Sequence, residues 1–193
     1  MKTFDLFIVE LEKTTNDTMT TDSGLELYVD TKWNEFEHRV TEGPVVVAPS
    51  KYSTGVEAGD TLYFHHLVVM NGGAILTGSD NHYIVRYDPN HTVNNQAIAH
   101  KNKDGEIKPL AGWTLLKPVA DPEDVGEAFI EIVELEESDK TRGQVAFETE
   151  YTDELGISAG DIVGFKKNMD YRIKIDGQEY YRVRAEDLMY VEV

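Results

Sequence analysis

A twelve-residue pattern occurs twice in this chain. Residues 55–66 (GVEAGDTLYFHH) have a counterpart 101 positions later, in residues 156–167 (GISAGDIVGFKK), and five of the twelve positions are identical. Glycine adopts positive φ angles without steric cost, and aspartate can hydrogen-bond the backbone of a turn. Alternating apolar residues follow in both copies, so the pattern predicts a turn that leads into a strand. A matched pair at this separation indicates a duplicated structural unit.

Short predicted strands surround both copies of the pattern. They are separated by Gly, Pro and Asp, which is typical of all-β barrels or sandwiches. No window shows a sustained helical period, so we expect few helices. The predicted strands lie at residues 4–11, 44–48, 83–86, 113–119, 144–147 and 180–183.

The duplication predicts two domains, residues 1–104 and residues 105–193. The boundary lies at the dipeptide Asp104-Gly105, which is typical of tight hairpin turns. We therefore expect the join to be a hairpin and not a flexible linker.

Charge and composition exclude several classes of partner. Lys and Arg number 18 and Asp and Glu number 36, a net charge of −18. Such a charge repels phosphate backbones and anionic lipid, so we expect neither nucleic acid nor membrane as a partner. The chain has no cysteine, which excludes disulfides and thiolate metal sites. Residues 4–10 lack the basic and apolar regions of a signal peptide, so we expect a cytoplasmic protein.

The sequence patterns that indicate catalysis are missing. The chain has neither a P-loop nor a dinucleotide fingerprint, and its six His residues show no HExxH spacing. His65 and His66 would point to opposite sides of a predicted strand, which does not suit a shared metal ion. We therefore expect no enzymatic activity, no metal and no cofactor.

Residues 107–193 resemble the GroES co-chaperonin family along nearly their whole length. The matches follow the order of the family's motifs, from a Pro-Leu pair before the opening strand to an acidic and apolar closing strand. The first half of the chain keeps fewer of these motifs. The matching segments are residues 107–117, 140–145, 158–163, 174–180 and 185–191.

The resemblance implies two tandem GroES-like β-barrel domains and a co-chaperonin. Such a protein caps an ATP-bound chaperonin ring through mobile loops and encloses a folding substrate. The implied partners are a GroEL-type chaperonin that binds the ATP, further copies of the chain in a ring-like homo-oligomer, and non-native proteins. A doubled domain without a transit peptide points to a phage-encoded form in the host cytoplasm. Residues 49–54 and 148–153 are too short for the family's dome-roof hairpin, so we expect a dome open at its apex.

In this family a mobile loop ends in an apolar tripeptide that docks on the chaperonin. The corresponding loop is residues 13–37, whose polar first half cannot bury enough apolar area to offset its ordering entropy. Gly24 and the tripeptide Leu25-Glu26-Leu27 occupy the docking position that the resemblance implies. The residues alone leave an alternative, in which Leu25, Leu27 and Val29 form a core strand beneath a surface loop.

Two further sites are implied by the resemblance. In the second domain Ile130-Glu131-Ile132 has the same apolar-x-apolar form, with an ordered strand as the alternative. Tyr171 lies where family members carry an exposed residue facing the folding chamber, with an ordinary hairpin tyrosine as the alternative. The terminal strands, residues 4–12 and 188–193, would pair either between subunits or within the chain.

Two other functions are alternatives to the co-chaperonin. GroES-like barrels also occur in medium-chain dehydrogenases, but those need a dinucleotide fingerprint and often cysteine zinc ligands, which this chain lacks. The remaining alternative is a structural or assembly β module that keeps the GroES-like fold and does not bind a chaperonin.

Overall fold

The predicted strands are present in the computed structural model, which describes residues 1–16, 18–20, 23–28, 38–72, 74–91, 94–120 and 138–192. Within these ranges the chain consists mainly of β-strands, with one five-residue α-helix and short 3-10 helices. The prediction of an all-β fold is confirmed. The chain divides into two compact units, which we call unit 1 (Met1–Leu110) and unit 2 (Ala111–Val193).

Unit 1 contains a six-stranded antiparallel sheet in the order β6-β1-β4-β5-β7-β8, and a separate two-stranded hairpin, β2-β3. A 3-10 helix spans His66–Gly72 between β5 and β6. The strands are β1 (Leu6–Glu10), β2 (Thr18–Thr20), β3 (Glu26–Tyr28), β4 (Glu42–Val47), β5 (Thr61–Phe64), β6 (His82–Arg86), β7 (Ala97–Lys101) and β8 (Ile107–Pro109).

Unit 2 contains a second six-stranded antiparallel sheet, in the order β12-β13-β9-β10-β11-β14. Its helices are α1 (Glu150–Glu154), which Thr149 caps at the N-terminus, and a 3-10 helix at Ala185–Asp187. The strands are β9 (Trp113–Ala120), β10 (Ser138–Val145), β11 (Ile162–Phe165), β12 (Arg172–Ile175), β13 (Gln178–Arg184) and β14 (Leu188–Val191).

Five strands occur in the same spatial order in both units. The run β6-β1-β4-β5-β7 of unit 1 corresponds to β13-β9-β10-β11-β14 of unit 2. Gly43 pairs with Leu62 as Gly143 pairs with Val163. Each unit also has a register irregularity immediately before the phenylalanine that ends β5 or β11. The two sheets therefore share their connectivity as well as their strand count.

Equivalent positions of the shared strands form both cores. Alternate side chains of a strand point to one face, and here that face is apolar in each unit. Every member of these pairs is buried in the hydrophobic cluster of its own unit. The pairs are Val9 and Leu116, Val45 and Val145, Leu62 and Val163, Phe64 and Phe165, and Tyr83 and Tyr181.

The two copies of the sequence pattern fold into the same turn. Gly59 and Gly160 have φ angles of +93° and +101°, a region that side-chain-bearing residues seldom adopt. The amide N–H of Gly59 donates to the carbonyl of Val45 at 2.8 Å, and that of Gly160 donates to the carbonyl of Val145 at 2.8 Å. The predicted turn and following strand are confirmed in both places.

The Asp of this turn has a second bond in each copy. Asp60 Oδ2 accepts from the amide of Glu57 at 2.9 Å, and Asp161 Oδ2 accepts from the amide of Ser158 at 2.9 Å. These side-chain bonds close the turn before the chain enters β5 or β11. The conserved geometry explains why this short pattern is the one that the sequence repeats.

The division between the units lies after Leu110, whereas the sequence placed it at residues 104 and 105. Residues 102–106 do form a turn, in which the amide of Glu106 donates to Asn102 Oδ1 at 2.9 Å. That turn joins β7 to β8, and β8 pairs with β7 inside the sheet of unit 1. Residues 107–109, which resemble the start of the family's opening strand, thus extend the first sheet.

Over the described residues neither sheet closes into a barrel. The strands at the edges are β6 and β8 in unit 1, and β12 and β14 in unit 2. Strand β1 pairs with both β4 and β6, so Leu6–Glu10 has no edge left for a neighbouring subunit. Intersubunit pairing of that strand, one of the two alternatives, is excluded by its central position.

Candidate functional site

The segment that the sequence assigned to chaperonin docking is closed at its base. The amide of Asn16 donates to the carbonyl of His38 at 2.6 Å, and the amide of Val40 donates to the carbonyl of Thr14 at 3.0 Å. Thr15 and Arg39 form a β-bridge between these bonds. The described residues on either side, 14–16 and 38–40, are therefore held together as neighbouring segments.

Part of this segment is the β2-β3 hairpin. Met19 pairs with Leu27, and Thr20 pairs with Glu26. The turn between the strands uses Gly24 at a φ of +80°, with no atom within 4 Å of the place where a Cβ would be. A glycine at that position lets the chain reverse immediately before Leu25.

The two docking leucines are exposed on this hairpin. Leu25 is 60% exposed and Leu27 is 41% exposed. Two residues apart along an extended segment, they point to the same side, and Glu26 lies between them. The alternative of a core strand is wrong, because β3 pairs with β2 and contributes no residue to the hydrophobic cluster of unit 1.

Tyr28 adds an exposed aromatic ring that the sequence analysis did not assign. It ends β3 and is 85% exposed, well above what is usual for so large an apolar surface. Its position directly after the tripeptide was visible in the sequence. A tyrosine in a short strand is equally common in cores, so its exposure could not be read from the residues.

Ile130, Glu131 and Ile132 lie outside the described residues. The strands on either side are described, and Ala120 at the end of β9 pairs with Ser138 at the start of β10. The tripeptide thus belongs to the segment between β9 and β10, which are the equivalents of β1 and β4, the strands that the docking segment of unit 1 connects. In both units that connection separates the first strand of the sheet from its neighbour.

Tyr171 lies just before β12 and is 55% exposed. Its carbonyl accepts the amide N–H of Arg182 at 2.8 Å. The guanidinium carbon of Arg182 lies 5.1 Å from the centre of the Tyr171 ring. The side chain is therefore accessible but held against its own sheet by a cation–π contact.

His65 and His66 do not alternate as the sequence predicted. Strand β5 ends at Phe64 and a 3-10 helix begins at His66, so the two rings lie side by side with centres 4.3 Å apart. His65 Nδ1 accepts the amide N–H of Leu67 at 3.1 Å. In the described part of the chain, no three His, Asp or Glu side chains come together as metal ligands could.

No protein-family model matches the chain, and no curated protein sequence matches it significantly. Among the helices of the described residues, none has both the length and the apolar character needed to cross a membrane.

Proposed function

We propose that the chain is a co-chaperonin, a ring-forming lid that caps an ATP-bound chaperonin and encloses a folding polypeptide. The observation that carries the proposal is the pair of exposed leucines on the β2-β3 hairpin. They occupy the position that the resemblance to the GroES family assigns to chaperonin docking. The finer fold assignment, two GroES-like barrels in tandem, belongs to the same proposal.

The exposed fractions of Leu25 and Leu27 give the docking contact a driving force. Full burial of a leucine is worth roughly 1.5 to 3 kcal/mol, and these side chains still have about half of that to gain. Ordering of the hairpin against the chaperonin offsets part of this gain. Affinity per hairpin is then weak, and tight capping requires several hairpins on one ring.

The shared strand order supports a second docking segment. Ile130-Glu131-Ile132 belongs to the connection in unit 2 that is equivalent to the docking segment of unit 1. In the proposed complex the chaperonin binds and hydrolyses ATP, and the lid itself needs neither cofactor nor catalytic residue. The proposed location is the cytoplasm, that of the host if the chain is phage-encoded.

Co-elution with a GroEL-type chaperonin tests the proposal. The wild-type chain is expected to co-elute when ATP is present and to elute separately without nucleotide. Leu25→Ser/Leu27→Ser should abolish co-elution, because the substitution removes the apolar contact and changes no residue of the two six-stranded sheets.

A matched control uses the same substitution at two leucines of similar exposure elsewhere. Leu67 is 44% exposed on the 3-10 helix of unit 1, and Leu155 is 53% exposed after α1. Leu67→Ser/Leu155→Ser should co-elute like the wild type. If the docking variant co-elutes equally well, the leucine assignment is wrong. If the wild type never binds, the structural or assembly module replaces the co-chaperonin.

A further inference from the structure

The face of the unit 2 sheet opposite its core carries two arginines beside a tryptophan. Arg182 pairs with Leu115, and Arg184 pairs with Trp113, across strands β13 and β9. Cross-strand partners lie on the same face of a sheet. Tyr181 and Val183 alternate with the arginines and belong to the hydrophobic cluster on the other face.

Arg182 is a buried cation held between two aromatic rings. Arg182 is only 5% exposed. The guanidinium carbon lies 5.1 Å from the centre of the Tyr171 ring and 5.7 Å from the centre of the Trp113 ring. Such contacts stabilise the charge through the ring faces but satisfy none of the five N–H donors of the guanidinium.

The charge of Arg182 is not balanced by a carboxylate in the described part of the chain. Burial lowers the pKa of Arg182 to about 10, Tyr171 opposes this shift, and Arg184 adds to it. Those two neighbours are a phenol and a second cation. Buried arginines are ordinarily paired, and this chain has twice as many acidic as basic residues.

Trp113 supplies a buried donor without a partner beside the guanidinium. The residue is 4% exposed, and its Nε1 is buried without a hydrogen-bond partner among the described residues. Buried polar groups nearly always have a partner, so each exception requires an explanation. Here the exception is the indole N–H, and the positively charged guanidinium of Arg182 lies against the same ring.

We propose that Arg182 and the indole N–H of Trp113 form a binding site for a carboxylate group, with Tyr171 at its exposed rim. A carboxylate is planar and offers two oxygens, which match the guanidinium fork and leave lone pairs for the indole. The carboxylate would belong either to a small free acid or to a polypeptide. The site binds it whether or not the chain caps a chaperonin.

Nuclear magnetic resonance of the Trp113 indole tests the proposal. The chain has two tryptophans, so Trp33→Phe leaves the Trp113 N–H as the one indole cross-peak. This protein is titrated with sodium acetate against sodium chloride at constant ionic strength. Acetate should move the cross-peak along a saturable curve and raise the thermal midpoint, and chloride should do neither.

Two arginine variants in the Trp33→Phe protein identify the residue that carries the response. Arg182→Met should weaken the apparent acetate affinity by roughly tenfold or more, as expected for loss of a charge-assisted hydrogen bond. Arg172→Met is the matched control, because Arg172 lies on the same sheet with its Nη1 2.9 Å from Glu179 Oε1. It should respond to acetate like the parent. Arg182→Lys keeps the positive charge but lacks the two parallel N–H donors of a guanidinium. It replaces Arg182→Met in the experiment if the methionine variant does not fold.

A second titration distinguishes the two sources of the carboxylate. A short peptide containing glutamate is compared with the same peptide containing glutamine. Saturation by acetate and by the glutamate peptide supports a site for any accessible carboxylate, and saturation by the peptide alone supports one for polypeptide carboxylates. If neither probe gives a saturable shift, or if Arg182→Met or its lysine replacement responds like the parent, the site does not exist.

Discussion

Units 1 and 2 share a strand order but place different chemistry on it. In unit 1 the connection after the first sheet strand carries a described hairpin with exposed leucines, and a buried His100 lies beside Asp60. In unit 2 the position of His100 is occupied by Val191, and a buried arginine lies on the face opposite the core. The sheet geometry tolerates these exchanges because the turn, the register irregularity and the inward apolar positions are retained. A duplicated framework can thus carry two different sites.

The largest predicted loss of stability is at a core position that both units share. Leu62 and Val163 are both fully buried in their clusters. Leu62→Ala should lower the free energy of unfolding by about 2 to 5 kcal/mol, and Val163→Ala by about 2 kcal/mol because fewer carbon atoms are removed from the core. Urea unfolding followed by circular dichroism measures both. Exposed Leu67→Ala is the control and should change little; a negligible loss for Val163→Ala would break the equivalence of the cores.

Gly43 in β4 and Gly143 in β10 are at equivalent positions, but they should differ in how well they tolerate substitution by alanine. A Cβ on Gly143 would lie 2.8 Å from Leu116 Cβ and 3.2 Å from the carbonyl of Lys117, both close to rigid backbone. A Cβ on Gly43 would meet mainly the far end of the buried Leu11 side chain and would lie 3.3 Å from the carbonyl of Glu10. The end of a side chain can shift at lower cost than the atoms beside Gly143. Gly143→Ala should therefore cost about 1 to 3 kcal/mol and Gly43→Ala less. Urea unfolding measures both changes, and equal losses of unfolding free energy would show that the surroundings of the two glycines are packed alike.

His100 should make stability depend on pH. Burial lowers the pKa of His100, the nearby Asp60 carboxylate 3.5 Å away opposes this, and Lys108 adds to it. Since the folded pKa lies below the unfolded value of about 6.5, the neutral ring favours folding above that pH. This stability is lost as pH falls through the folded pKa.

The matched substitution for this effect is His100→Val, which installs the residue of unit 2. Unfolding by urea at several pH values from neutral to about 5 should show a shallower loss of stability for the variant than for the wild type. An identical pH dependence would assign the titration to other groups.

The smallest predicted loss of stability comes from a position at which the two units place the large and the small residue on opposite strands of the pair β5-β7 or β11-β14. Tyr63 pairs with Ala99 in unit 1, whereas Gly164 pairs with Tyr190 in unit 2. A Cβ on Gly164 would meet the end of the Tyr190 ring, which is half exposed and can swing away. Gly164→Ala should cost about 0.5 kcal/mol or less. Adding Tyr190→Ala should remove that cost, and a double-mutant cycle without coupling would contradict the contact.

Much of the fold could be predicted because its determinants are local. The glycine and aspartate of the repeated turn specify their own backbone geometry, and the alternating apolar residues identify the strands. The unit boundary could not be predicted, since residues 107–109 suit either sheet and long-range pairing with β7 decides between them. The end of β5 before His65 was missed for a related reason, because no Gly or Pro marks it.

The candidate sites were predictable to different degrees. The position of Leu25 and Leu27 followed from the family resemblance, and the structure adds their exposure and the hairpin that presents them. Threonines made the segment look polar and unstructured, although Thr18 and Thr20 are good strand formers that pair in β2. Arg182 and Trp113 could not be linked by sequence, since their contact depends on the β9-β13 pairing.

The central claim is that the β2-β3 hairpin contacts a chaperonin, and amide hydrogen exchange tests it most directly. Exchange is measured for the free chain and for the chain mixed with a GroEL-type chaperonin and ATP. Peptides covering residues 23–28 should exchange more slowly in the mixture, and Leu25→Ser/Leu27→Ser should abolish that change. Unchanged exchange at residues 23–28 in a complex that demonstrably forms would contradict the claim.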